Sequence, residues 1–195
     1  MSAPANLNVK QPKSFAFTPA NMEEAKRVIA KYPTARKASA VIPLLQLAQG
    51  QHDNWLPVAA MDYVAAMLEM PPVRVYEVAS FYTMFNRAPV GKFLLQVCTT
   101  TPCWLRGSDD IKHVCKSKLG IGDGETSADG KFSMMEVECL GACVNAPMVQ
   151  INDDFYEDLT AENFTRILDD LAAGKQPSIG SQVGRQGSHP KKAGA

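Results

Sequence analysis

Between Thr18 and Ala88 the apolar positions recur at helical spacing. Thr18 reads as an N-cap with Pro19 at the first helical position, where the missing N–H costs nothing, and Tyr32-Pro33 close that helix. Val41, Leu44, Leu45 and Ala48 trace a second helix before the polar stretch 50–54. Val58, Met61, Val64 and Leu68 trace a third, and after Pro71-Pro72 the residues Val75, Val78, Phe81 and Tyr82 trace a fourth. The segment is expected to form a small helical bundle.

The pattern changes at Pro89-Val90-Gly91. Residues 92–97 form a short apolar run suited to a buried strand that ends on Cys98. A helix is expected over 107–119, with Ser108 as cap and Ile111, Val114 and Cys115 on one face. Four glycines between 120 and 130 mark a loop, and 131–138 alternate as a strand. Residues 147–152 and 155–158 suit a hairpin turning at Asp153-Asp154. Thr160 caps a last helix whose apolar face is Phe164, Ile167, Leu168 and Leu171, which ends at Gly174 and should lie on the sheet. From Gly174 onward the chain is rich in Gly, Ser, Pro and Lys without periodicity and is expected to be a flexible tail. The order strand, helix, three strands, helix suits an α/β layer and is compatible with a thioredoxin-like arrangement.

Composition narrows the chemistry. With 20 basic and 20 acidic residues in 195, no charge excess points to nucleic acid or to an anionic membrane surface. No apolar run approaches the roughly 20 residues of a membrane span, and the first residues lack the apolar core of a secretory signal. The chain is therefore expected in the cytoplasm, or in an organelle after processing, with the start at Met1 favouring a bacterial copy. Its five cysteines are poor candidates for disulfides in a reducing compartment, which leaves metal binding or plain burial.

Four of them are spaced as Cys98-x4-Cys103 and Cys139-x3-Cys143, each pair at the end of an expected strand. A 2Fe-2S cluster takes four thiolates, two per iron, and its charge is offset by donors aimed at the sulfurs. Thr99, Thr100 and Thr101 supply hydroxyls, Pro102 stiffens the approach to Cys103, and Gly141 admits positive φ with no side chain in the way. A four-thiolate zinc site would use the same residues, although zinc ribbons favour C-x2-C knuckles; unmetallated thiols are the third reading. No C-x-x-C motif supports thiol-disulfide exchange. Cys115 belongs to an apolar helix face and is read as structural. His52, His113 and His189 are scattered and are not read as ligands. Trp104 is either a shield for the site or an ordinary packed aromatic. Glu136 and Glu138 put negative charge near the site or simply line an exposed strand face.

The runs VCTTTPCWLRGSDDI (97–111) and CLGACVNAPMVQINDDFYEDLT (139–160) closely resemble the thioredoxin-like 2Fe-2S subunit of respiratory complex I, NADH:quinone oxidoreductase. Bacteria call it the E subunit, and in mitochondria it is flavoprotein 2. SAVIPLLQLAQGQ (39–51) and VYEVASFYTMFNRAPVGKF (75–93) extend the resemblance to about residues 15–180. It implies one 2Fe-2S cluster held by Cys98, Cys103, Cys139 and Cys143 and no catalytic site of the chain's own. It also implies docking, with the other peripheral-arm subunits, onto the flavoprotein subunit that binds NADH and FMN. No G-x-G-x-x-G or Walker loop in this chain would hold a nucleotide, so the two-electron step is expected on that partner and single-electron exchange here. The implied place is the cytoplasmic face of a bacterial inner membrane, or the matrix side if organellar. Related 2Fe-2S subunits of NAD-linked hydrogenases and formate dehydrogenases are the alternative. The implied domains are an N-terminal extension (1–17), a helical bundle (18–88), a thioredoxin-like 2Fe-2S domain (89–175) and the tail (176–195).

Overall fold

The structure, a computed structural model, describes residues 9–188. It divides into two compact units, with the division between Val90 and Gly91.

Among the described residues the first unit holds four α-helices: α1 (Pro19–Ile29), α2 (Val41–Gln51), α3 (Val58–Leu68) and α4 (Pro72–Phe81). Thr18 caps α1 by accepting from the Asn21 N–H at 3.3 Å, with Pro19 at the first helical position. The chain between α1 and α2 forms a 3-10 segment, Thr34–Ala40. At the end of α3, Glu69 turns left-handed at φ 53°, and the prolines that follow start α4. Leu44, Leu45, Val64, Leu68, Val75 and Phe85 are buried together as the core, and Phe15, Phe17 and Tyr63 stack edge-to-face beside it at 5.5–5.6 Å.

Among the described residues the second unit is a five-stranded sheet with helices. Its elements are β1 (Phe93–Cys98), α5 (Thr101–Leu105), α6 (Ser108–Val114), β2 (Phe132–Val137), β3 (Val149–Ile151), β4 (Asp154–Glu157), α7 (Ala161–Ala172) and β5 (Gly180–Ser181). The strand order is β2-β1-β3-β4-β5. β1 runs parallel to β2 and antiparallel to β3, β3 and β4 form the hairpin, and β5 runs parallel to β4. Leu95, Val97, Met134, Val149 and Ile151 from the strands pack with Ile111 of α6 and with Phe164, Ile167 and Leu168 of α7. A capping box starts α7: Thr160 accepts from the Asn163 N–H at 3.2 Å, and Asn163 Oδ1 accepts from the Thr160 N–H at 2.7 Å.

Several details differ from the sequence expectations. The hairpin turns at Asn152-Asp153, one residue earlier, because Asn152 takes the left-handed conformation (φ 53°) that Asn tolerates better than most residues. Gly107, at φ 100°, holds the N-cap position of α6, and Ser108 lies inside the helix. That helix continues as a π-helical turn, Cys115–Leu119. The stretch expected as a tail departs further: 176–188 fold back against the sheet edge, contribute β5, and hydrogen-bond to Glu157 and Asp158. Composition missed this because the segment is held by polar bonds rather than by an apolar face. The rest of the expected tail, 189–195, and residues 1–8 of the expected extension lie outside the described residues.

Gly91 opens the second unit under tight contact. Its N–H donates to Ser133 Oγ at 2.7 Å, and a Cβ there would stand 2.6 Å from the Phe132 carbonyl carbon and 2.8 Å from the Ser133 nitrogen. Backbone atoms of a paired strand cannot yield as a flexible side chain would. Gly91→Ala is therefore expected to destabilise the α/β unit by about 2 kcal/mol through overpacking. Thermal denaturation followed by circular dichroism checks this, and an unchanged midpoint would show that the strand edge can relax.

Candidate iron-sulfur site

Parallel pairing sets the geometry. Cys98, the last residue of β1, sits opposite Val137, the last residue of β2, so both strands end at the same edge of the sheet. Cys139 follows two residues later. The chain leaving β1 turns into α5, with Pro102 in its first turn, and α5 carries Cys103. The chain leaving β2 passes Gly141, at φ 85°, and reaches Cys143, which opens a 3-10 turn, Cys143–Asn145. A Cβ on Gly141 would meet nothing, so the glycine answers to its backbone angle rather than to crowding.

The thiols form two pairs. Cys139 Sγ and Cys143 Sγ stand 3.2 Å apart. Cys98 and Cys103 are buried in one small apolar cluster that includes Ala142 of the second loop. The Thr100 hydroxyl lies 3.3 Å from Cys98 Sγ. The Gly141 N–H donates to Cys139 Sγ at 3.4 Å. Among the described residues no three His, Cys, Asp or Glu side chains gather tightly enough to hold a single metal ion.

The two pairs differ in environment. Cys98 and Cys103 are each 1% exposed, packed with Ala142, Ala146 and Met148, whereas Cys139 and Cys143 are at the surface. Burial, followed by the hydrogen bond to Cys98, pushes the Cys103 thiol up to about 12. Cys139 is held below the ordinary thiol range, first by the Gly141 N–H and then by Cys143 and Thr100. Cys143 is raised, first by its hydrogen bond to Cys139. The site thus presents a buried thiol, Cys103, that resists ionisation and an exposed one, Cys139, held toward it.

These features fit a 2Fe-2S group. Four thiols converge from two loops, a hydroxyl and an amide point at their sulfurs, and Gly141 leaves no side chain between backbone and sulfur. Cys115 stands apart, 0% exposed in the sheet–helix core with its thiol pushed up to about 12 by burial. His113 is exposed and His52 stacks against Trp55 at 4.8 Å; His189 lies outside the described residues. Trp104 is 56% exposed, so it is not an ordinary packed aromatic. Glu136 pairs with Lys112 at 3.5 Å, and Glu138 places its charge against Cys139.

Sequence reasoning missed the polar support behind Cys143. Asn145 is 2% exposed, accepts at its carbonyl from the Asp158 N–H at 2.8 Å and donates through Nδ2 to Glu157 at 2.6 Å. No periodicity marks such residues. Their partnership shows only once the hairpin and the cysteine loop have been placed side by side.

The model of the thioredoxin-like [2Fe-2S] ferredoxin family matches residues 25–172. The chain is 63% identical over 158 residues to the E subunit of NADH-quinone oxidoreductase from Rickettsia bellii (strain RML369-C), covering 81% of this chain and 95% of that one. It is 54% identical over 172 residues to the mitochondrial NADH dehydrogenase [ubiquinone] flavoprotein 2 of Dictyostelium discoideum, covering 88% of this chain and 70% of the relative. Among solved structures, an NAD+-reducing [NiFe]-hydrogenase in the air-oxidized state aligns over 67% of this chain and 23% of its own, with a TM-score of 0.58 and 21% identity. That likeness shows the fold alone. Two-thiol loops ending adjacent parallel strands, a family match over most of the chain and relatives this similar lead to one conclusion: the chain belongs to the thioredoxin-like [2Fe-2S] ferredoxins, in the family formed by the E subunit of NADH-quinone oxidoreductase and mitochondrial flavoprotein 2.

Proposed function

We propose that Cys98, Cys103, Cys139 and Cys143 ligate one 2Fe-2S cluster, through which this subunit of NADH-quinone oxidoreductase exchanges single electrons with the FMN of the NADH-binding flavoprotein subunit. The observation that carries this reading is the pair of two-cysteine loops that leave the ends of the adjacent parallel strands β1 and β2 at one sheet edge. When bound, such a cluster supplies a one-electron store beside a flavin that is reduced in two-electron steps.

The chain's own residues divide the work. Cys98 and Cys103, packed with Ala142, Ala146 and Met148, exclude water from the inner side. Thr100 and the Gly141 N–H offset negative charge on the sulfurs, and Glu138 adds to it, the first favouring and the second disfavouring an added electron. The outer side opens through Cys139 and Cys143, and the residues that follow the second cysteine of each loop, Trp104 and Leu105 after Cys103 and Val144 after Cys143, are exposed and apolar. Exposed apolar residues on both cysteine-bearing loops support docking of the flavoprotein there, where the path for the electron is short. For the helical bundle (18–88) we propose a further docking role, supported by Phe81, which is 77% exposed. Among the described residues no helix is long and apolar enough to cross a membrane. The likeness to the oxidoreductase relatives supports a place in the peripheral arm, on the cytoplasmic face of a bacterial inner membrane or its matrix-side equivalent. The 63% identity to an oxidoreductase subunit, against 21% to the hydrogenase, favours this complex over a hydrogenase or formate dehydrogenase.

Two experiments test the proposal. Cys98→Ser, Cys103→Ser, Cys139→Ser and Cys143→Ser should each abolish or shift the electron paramagnetic resonance signal of the reduced protein, while Cys115→Ser should leave it as in the parent. An unaltered spectrum in any of the first four would remove that residue from the ligand set, and a colourless parent that contains zinc would replace the cluster altogether. Separately, the tagged chain, expressed in cells that assemble the oxidoreductase, should co-purify with an FMN-containing, NADH-oxidising subunit and with NADH-dependent quinone reduction. Recovery with a hydrogenase subunit instead would reassign the complex.

A further inference from the structure

The last described segment, 180–188, lies beyond the residues matched by the family model, yet it reaches the loop that carries Cys143. We propose that this segment is a latch that positions the Cys143 loop, with Arg185 as its main positioning residue and Ser188 as its second anchor. The inference rests on the reading of Cys143 as a cluster ligand.

The geometry is specific. Arg185 Nη2 donates to the Val144 carbonyl at 3.1 Å, one residue past Cys143, and the same nitrogen donates to Asp158 Oδ1, while Nε donates to Asp158 Oδ2 at 3.3 Å. The Asp158 side chain is 8% exposed, so the pair is partly desolvated, and Ser181 Oγ donates to the same carboxylate at 2.6 Å. Asn145, two residues past Cys143, donates through Nδ2 to the Gln186 carbonyl at 2.8 Å and to Glu157 Oε2 at 2.6 Å. Glu157 is 0% exposed, and beyond Asn145 its carboxylate is served by the Ser188 N–H at 3.0 Å and by Ser188 Oγ at 3.2 Å. The latch therefore supplies donors to a buried carboxylate, a cation to a nearly buried one, and direct bonds to both residues that follow Cys143.

The consequence follows from the cost of unmet buried charge. Without Arg185, the Val144 carbonyl and Asp158 lose their shared donor; without the Ser188 hydroxyl, Glu157 keeps the Ser188 N–H and Asn145 as its donors among the described residues. The loop then relaxes to rehydrate these groups, and Cys143, whose backbone leads directly into them, relaxes with it. Val144 is 74% exposed and offers no packing that would hold the loop in place of the latch. Polar partners beyond a metal's ligands commonly set ligand orientation in this way.

The full-length chain purified with its cluster provides the test. Arg185→Ala should accelerate chelator-driven cluster loss about tenfold and alter the line shape of the reduced-state paramagnetic signal, Ser188→Ala should do so to a smaller extent, and Arg185→Lys should restore part of the effect. Leu171→Ala, in the core of α7 away from the loop, serves as the control for lost stability. If it lowers the melting midpoint at least as far as Arg185→Ala does yet leaves the chelation rate and spectrum unchanged, the latch acts on the site. If Arg185→Ala changes neither, or changes them no more than Leu171→Ala at equal loss of stability, the latch is merely structural and the inference fails. The ligand reading fails separately, through an unaltered Cys143→Ser spectrum.

Discussion

The parallel pairing of β1 with β2, in a register that sets Cys98 against Val137, is the constraint on which the site depends. Parallel neighbours end at the same edge, so two cysteine loops separated by 35 residues of sequence leave the sheet side by side. An antiparallel pair would send them to opposite edges. A slip of one residue would carry Cys139 about 3.3 Å along the strand and turn every β2 side chain to the other face, taking Phe132 and Met134 out of the sheet–helix core. The core that fixes this register is therefore also what fixes the distance between the two thiol pairs. The helix α6 and the π-helical turn that link β1 to β2 belong to the same requirement, since a parallel pair needs a crossover, and Ile111 and Cys115 anchor it to the sheet.

Much of this was legible along the chain. The four helices of the first unit follow from apolar periodicity and proline punctuation, and α7 from its cap, its apolar face and Gly174. The cysteine spacing pointed to a four-thiolate site but left zinc open, because spacing states which residues meet and not what they hold. The family to which the chain belongs implies the 2Fe-2S group. What periodicity could not reveal is structure made by polar groups. The α5 turn depends on Pro102 and on backbone bonds over five residues, too few to show a period. The fold-back of 176–188 depends on Glu157, Asp158 and Asn145, each of which reads in isolation as an ordinary loop or hairpin residue.

The asymmetry of the site joins the fold to its proposed role. A redox centre in a subunit that docks must be shielded from water on one side and approached closely on the other. The inner pair sits where β1 and α5 meet the small cluster around Met148, and burial keeps Cys103 protonated until something replaces the proton. The outer pair lies on a loop whose Leu140 and Ala142 pack toward that cluster while its two sulfurs stay exposed, so the position of the sulfurs depends on hydrogen bonds as well. A loop of that kind is adjustable, whereas a sulfur buried in a packed core is not.

That contrast locates where tuning is possible in a fold of this kind. Changing the inner side means repacking Ala142, Ala146 and Met148, at a cost in stability that any core substitution carries. Changing the outer side means altering polar groups: the Thr100 hydroxyl beside Cys98, the Gly141 N–H on Cys139, the Glu138 charge beside it, and the bonds behind Val144 and Asn145. None of these lies in either hydrophobic core, so each can vary while the sheet keeps its register. The sheet edge sets where the thiols meet, and the polar shell around Cys139 and Cys143 is left free to set how readily an electron is held there.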